Sequence, residues 1–157
     1  MTSLPVTAAR VAGQQDLRGA VVAVDGVLRH ATRTGTPGLT QFQTAIEGLP
    51  AAAARRRAAA ALDLADARSE SAGESLSRIG MHLLGYALPE LQQEFAIDGR
   101  VYRGDFSWPG LIGEFDGRLA RVMADHDVTR RVFSRLPEPV RASAPVLVLR
   151  NSSPSET

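Results

Sequence analysis

Asp105, Glu114 and Asp116 fall within twelve residues of one another, in the text Arg103-Gly-Asp-Phe-Ser-Trp-Pro-Gly-Leu-Ile-Gly-Glu-Phe-Asp-Gly117. On a strand, side chains alternate between faces, so Glu114 and Asp116 point the same way, roughly 6.6 Å apart along the chain. Leu111 and Phe115 point the other way. If Asp105 faces the same side from the preceding strand, three carboxylates meet on one patch. Left bare, like charges near 4 Å repel by on the order of 4 kcal/mol at a surface-like dielectric. A hard divalent cation removes that repulsion, because it prefers carboxylate and water oxygens. The spacing therefore marks a candidate metal site, with metal-assisted hydrolysis as the chemistry it could support. Purely local roles compete with this reading. Asp105 and Asp116 flank turns, where aspartate serves local hydrogen bonds. Glu114 lies in an otherwise apolar strand and, if buried, needs a partner such as Arg103.

Composition narrows the remaining chemistry. All eighteen basic side chains are arginine, so no lysine can act as base, Schiff-base former or transition-state cation. A phosphate contact would have to come from arginine, whose planar fork suits bidentate binding. The formal net charge of +1 gives no global argument for nucleic acid, and only a local basic face could make one. Absence of cysteine excludes disulfides, thiolate zinc sites and cysteine nucleophiles. There is no Gly-x-Ser-x-Gly, Walker loop or histidine cluster. Apolar residues make up 44% of the 157 and aromatics only 5%, so an interior must be built from Leu, Val, Ile and Ala. No stretch approaches the 18 apolar residues of a membrane span. Met1 to Leu17 lacks the basic start and apolar run of a secretory signal. The expectation is a cytoplasmic protein without a membrane partner.

The elements that would position the acids can be read from periodicity. Thr2-Ser3 ahead of Pro5 offers a helix start. Ala20 to Leu28, apolar apart from Asp25 and Gly26, reads as a buried helix. Residues 31–38 read as a loop, Thr40 to Leu49 as a short helix, and Ala51 to Ala67 as an alanine-rich one. Arg55, Arg56 and Arg57 span 200° of that helix, so at least one must face solvent. They form either a solvated face or a phosphate-contacting patch. After Ser69-Glu-Ser-Ala-Gly-Glu74 a further helix carries Leu76, Ile79, Leu83 and Leu84 as its apolar stripe. Gly85 can end it in a left-handed cap. Glu74 sits in its first turn, where a carboxylate complements the helix dipole. The period then changes. Leu91 to Ile97 and Arg100 to Trp108 read as strands joined at Asp98-Gly99, a tight-hairpin signal. Leu111 to Asp116 is a third strand, Leu119 to Leu136 a helix, and Val146 to Leu149 a buried strand. The expected class is α+β: a helical segment over 1–68, an αβββαβ core with a small mixed sheet over 69–150, and a disordered polar tail over 151–157.

That order, with acids at those places, resembles the restriction-endonuclease-like fold of the PD-(D/E)XK superfamily. The Glu-x-Asp-Gly ending at Gly117 is similar to its very-short-patch-repair-like branch. Ser69-Glu-Ser-Ala-Gly-Glu-Ser-Leu-Ser-Arg78, Pro89-Glu-Leu-Gln92, Asp105-Phe-Ser-Trp-Pro109 and Gly113-Glu-Phe-Asp-Gly117 resemble the C-terminal part of actinobacterial AbiEi-like type IV toxin–antitoxin regulators, here without their N-terminal winged-helix domain. The likeness covers about residues 1–118. It implies a Mg²⁺- or Mn²⁺-dependent endonuclease-like domain acting on DNA. Glu74, Asp105, Glu114 and Asp116 would be catalytic, with Asp105, Glu114 and Asp116 holding the metal. Gln92 would hydrogen-bond near the site, and Arg55, Arg56, Arg57, Arg103 and Arg118 would contact nucleic acid. Asp116 stands where many members carry lysine. A catalytically silent relic serving as a DNA- or protein-binding regulatory module, alone or as a homodimer, is the other function the likeness allows.

Overall fold

The structure, a computed structural model, describes residues 2–97, 100–108, 111–115 and 146–149. It is a mixed α and β protein that divides into two compact units, residues 1–88 and 89–157. The division falls twenty residues later than the 68/69 boundary expected from the sequence. The fifth helix, which the sequence reading assigned to the second part, packs into the first.

Five helices build the first unit: α1 (Leu4–Gln14), α2 (Leu17–Thr34), α3 (Gly38–Glu47), α4 (Ala52–Asp63) and α5 (Ala72–Leu83). Ser3 takes the N-cap of α1, with Pro5 placed where a missing N–H does no harm. Asp16 caps α2 by accepting a hydrogen bond from the Gly19 N–H at 2.9 Å. This helix runs through Thr34 to a left-handed Gly35 at φ 67°, so most of the loop expected over 31–38 is helical. Ala31 continues the buried stripe and carries it into that stretch. The interior is aliphatic, with Ala9, Ala12, Val21, Val24, Ala58, Ala61 and Ile79 closed around Phe42, all inside this unit. Small residues let the helices approach. A Cβ on Gly13 would stand 2.9 Å from the Cβ of Ala54 in α4, and one on Gly38 only 2.2 Å from that of Ala31.

The second unit is a sheet in the order β1 (Glu90–Ile97), β2 (Arg100–Trp108), β3 (Leu111–Phe115), β4 (Val146–Leu149). The first two pairings are antiparallel and β3–β4 is parallel. Ile97 pairs with Arg100, which leaves two residues to connect β1 to β2, as the Asp98-Gly99 signal requires. The helix expected over 119–136 and the tail over 151–157 lie outside the described residues. Buried Leu91, Gly104, Phe106 and Gly113 share one face of the sheet, with the Trp108 ring 6.3 Å from that of Phe106. No described helix is long and apolar enough to cross a membrane.

Candidate carboxylate site on the sheet

The opposite face of β2 carries Arg103, Asp105 and Ser107, by the alternation that buries Gly104 and Phe106. On the β3 side the ladder runs Trp108–Leu111, Ser107–Ile112, Phe106–Gly113. The next facing positions are Asp105 and Glu114. There the backbone ladder gives way to a side chain: the Phe115 N–H donates to Asp105 Oδ2 at 2.7 Å. On the β1 side the pairs Leu91–Phe106 and Gln93–Gly104 bracket Gln92 and Asp105. Gln92 Nε2 reaches Asp105 Oδ1 in a long contact of 3.4 Å. Gln92, Asp105 and Glu114 thus form one row across three strands, with Asp105 at its centre. Asp105 and Glu114 are both half-buried.

Gln92 interrupts its strand. Its φ of 55° makes it the non-glycine residue with a left-handed backbone among those described. Such a conformation in a long side chain is strained and persists only where its surroundings enforce it. The strain falls beside the carboxylate that a metal site would use. One Asp105 oxygen is fixed by a strong backbone donor and the other has only the long amide contact. That pairing of an anchored oxygen with a weakly engaged one fits a cation ligand.

Glu74 belongs to the helical unit and does different work there. Ser71 caps α5 by accepting from the Glu74 N–H at 3.1 Å. In return Glu74 Oε1 accepts from the Ser71 hydroxyl and Oε2 from the Glu70 N–H, each at 2.8 Å. This is a capping box in all but one donor. The carboxylate is buried and holds the start of the helix. The rest of α5 departs from the expected apolar stripe. Leu76, Leu83 and Leu84 are exposed, and the buried face is Glu74, Ser75, Arg78, Ile79 and Met81.

That polar face meets a counterpart which the sequence reading passed over. Asp25 of α2 is fully buried, and Arg78 nearly so; Nη2 of Arg78 lies 2.9 Å from Asp25 Oδ2 and 3.2 Å from Oδ1. Asp25 Oδ1 also accepts from the Asp66 N–H at 2.7 Å, and Arg78 Nη1 donates to the Leu64 carbonyl at 2.6 Å. Ser69 and Ser75 join hydroxyls at 2.8 Å, and Arg29 donates to the Ser69 carbonyl. The available signal was Asp25 itself, since an acid inside a buried apolar run requires a partner.

The arginines expected to contact nucleic acid divide. Arg55 donates to the Leu49 carbonyl at 2.5 Å, and Arg57 Nε to the Gly13 carbonyl at 2.8 Å, tying α4 to its preceding loop and to the end of α1. The triplet is therefore not one free cationic patch. Arg56 is exposed, as the 200° spread of the triplet demands of one member. Arg103 is exposed and stands opposite Glu94 in β1. Asp116 and Arg118 lie outside the described residues. Among the described residues, no group of three or more acids or histidines could hold a metal ion. No family model, curated protein or solved structure matches this chain.

Proposed function

We propose that the sheet unit is a Mg²⁺- or Mn²⁺-dependent, restriction-endonuclease-like domain that hydrolyses DNA phosphodiesters. The observation that carries this reading is the anchoring of one Asp105 oxygen by the Phe115 N–H, which fixes Asp105 of β2 beside the residue that follows Glu114 in β3. Asp105 and Glu114 would hold the ion, with Asp116 as third ligand. When bound, the ion lowers the pKa of a water and neutralises charge on the phosphate. The chain's own part is to hold Asp105 in one rotamer and to present Arg103 on the same strand face toward a phosphate. Plasmid nicking with and without Mg²⁺ tests it. Activity should appear with the ion, vanish in chelator, and be lost in Glu114→Ala and Asp105→Asn. Nicking that persists in both variants rejects the site.

A second reading is a catalytically inactive member of the same fold that binds DNA or protein in regulation. It is favoured by Glu74, whose two oxygens are both committed to capping α5, and by the absence of any lysine. On that reading wild type and Glu114→Ala bind duplex DNA equally and neither nicks it.

A further inference from the structure

α1 and α3 flank an open cleft of about 510 Å³ in the helical unit, apart from the acids of the sheet. Its lining falls on helical spacing from both sides: Ser3, Val6 and Arg10 from α1 and its cap, and Thr40, Thr44 and Ala45 from α3, closed at the end by Leu49. Val6, Ala45 and Leu49 give it apolar walls, and the last two belong to or pack on the core. Threonine hydroxyls and Arg10 stand at the rim. Thr44 Oγ1 already donates to the Thr40 carbonyl at 3.0 Å, so its proton is used and its lone pairs remain available.

Charge selects the ligand. Among the described residues no acidic side chain lines the cleft, and no carboxylate lies within ion-pair distance of Arg10. The other arginines of the unit that approach the interior, Arg29, Arg55, Arg57 and Arg78, are each spent on a backbone carbonyl or on Asp25. Arg10 is not. One uncompensated guanidinium beside an apolar slot matches one negative charge on an apolar body, and its planar fork matches a carboxylate. The fork matches a phosphate oxygen pair as well, and the apolar walls are what favour a ligand with an apolar body over a bare phosphate. The volume lies within the ordinary range of small-molecule sites, roughly 300–1,000 Å³.

We propose that this cleft binds a small monocarboxylate with an aliphatic or aromatic body, the carboxylate on Arg10 and the body against Val6, Ala45 and Leu49. The site is independent of the sheet acids. Backbone-amide NMR titration of the full chain with octanoate tests it, with octanol and inorganic phosphate as controls. Octanoate should shift the amides of Val6, Arg10, Ala45 and Leu49 saturably. Arg10→Gln should weaken octanoate by at least about tenfold, the loss of one charge-assisted hydrogen bond, while leaving octanol unchanged. Thr40→Trp, a bulky change at an exposed rim position, should block both, with unaltered far-UV circular dichroism showing that the fold is kept. The proposal is overturned if octanoate causes no saturable shift at millimolar concentration. It is also overturned if Arg10→Gln binds octanoate as well as wild type does, or if phosphate alone competes as strongly as octanoate.

Discussion

Asp25 and Arg78 show how one pair of residues can govern a unit that is otherwise aliphatic. Each charge is out of water, and each bonds the other and a backbone group from the 64–66 stretch, with Arg78 Nε left as a buried donor without a partner. Such a pair adds little net stability over an apolar substitute, but losing one partner strands the other charge. Asp25→Ala or Arg78→Met should therefore cost about 3–5 kcal/mol in urea unfolding, whereas the double variant Asp25→Leu/Arg78→Met should recover most of that loss. Equal or additive losses would show that the two side chains act separately. Asp66 offers a second test. Burial pushes its carboxyl upward, but hydrogen bonds from the Arg68 side chain and backbone and the charges of Arg68 and Arg78 outweigh it. The group is held below its ordinary value of 3.8. A lowered folded-state value means stability that is present above about pH 4 and lost as pH falls through the folded pKa. Wild type should exceed Asp66→Asn in thermal midpoint at about pH 6, with the gap closing at about pH 2. A gap independent of pH would assign the effect to packing.

At the scale of elements, the helices and strands were readable where local chemistry dominates. Ser3 ahead of Pro5, the left-handed Gly85 and the alternation over β1 to β3 are short-range signals, and the elements follow them; the Asp16 cap and the left-handed Gly35 are equally local but emerge only in the structure. The face of α5 was not readable. Its leucines suggested the buried stripe, yet the helix buries Ser75 and Arg78 because α2 presents Asp25 to it. Nothing within α5 announces a partner 53 residues away. The helix corners carry their own prediction. Gly38→Ala would put a methyl 2.2 Å from the Ala31 Cβ, so α2 and α3 must separate. The expected loss is about 1–3 kcal/mol, read as a lower urea midpoint. Ser71→Ala, which removes the cap of α5 and the donor to Glu74 Oε1, should cost about 1 kcal/mol by the same measurement.

For the whole molecule, the aliphatic cluster of the helical unit runs from Ala8 to Ile79, and that compact unit ends at Leu88. A fragment of residues 1–88 should therefore fold alone, with helical circular dichroism and a cooperative thermal transition. A fragment cut at 68, the boundary read from the sequence, should not, because it lacks Arg78 and leaves Asp25 buried without its cation. If both fragments melt alike, α5 is not integral to the unit. By itself the sequence determined the type of most described elements, the absence of cysteine and lysine chemistry, and the alternation that puts Asp105 and Glu114 on the polar faces of their strands. Those follow from period and composition, which act over a few residues. Only the tertiary structure decided that Asp105 is held by the Phe115 N–H beside a strained Gln92, that Arg55 and Arg57 are drawn to backbone carbonyls, and that α5 joins the helices. Register and burial are set by contacts between segments far apart in the chain, and a strand or helix carries its own pattern but not the identity of the neighbour that completes it.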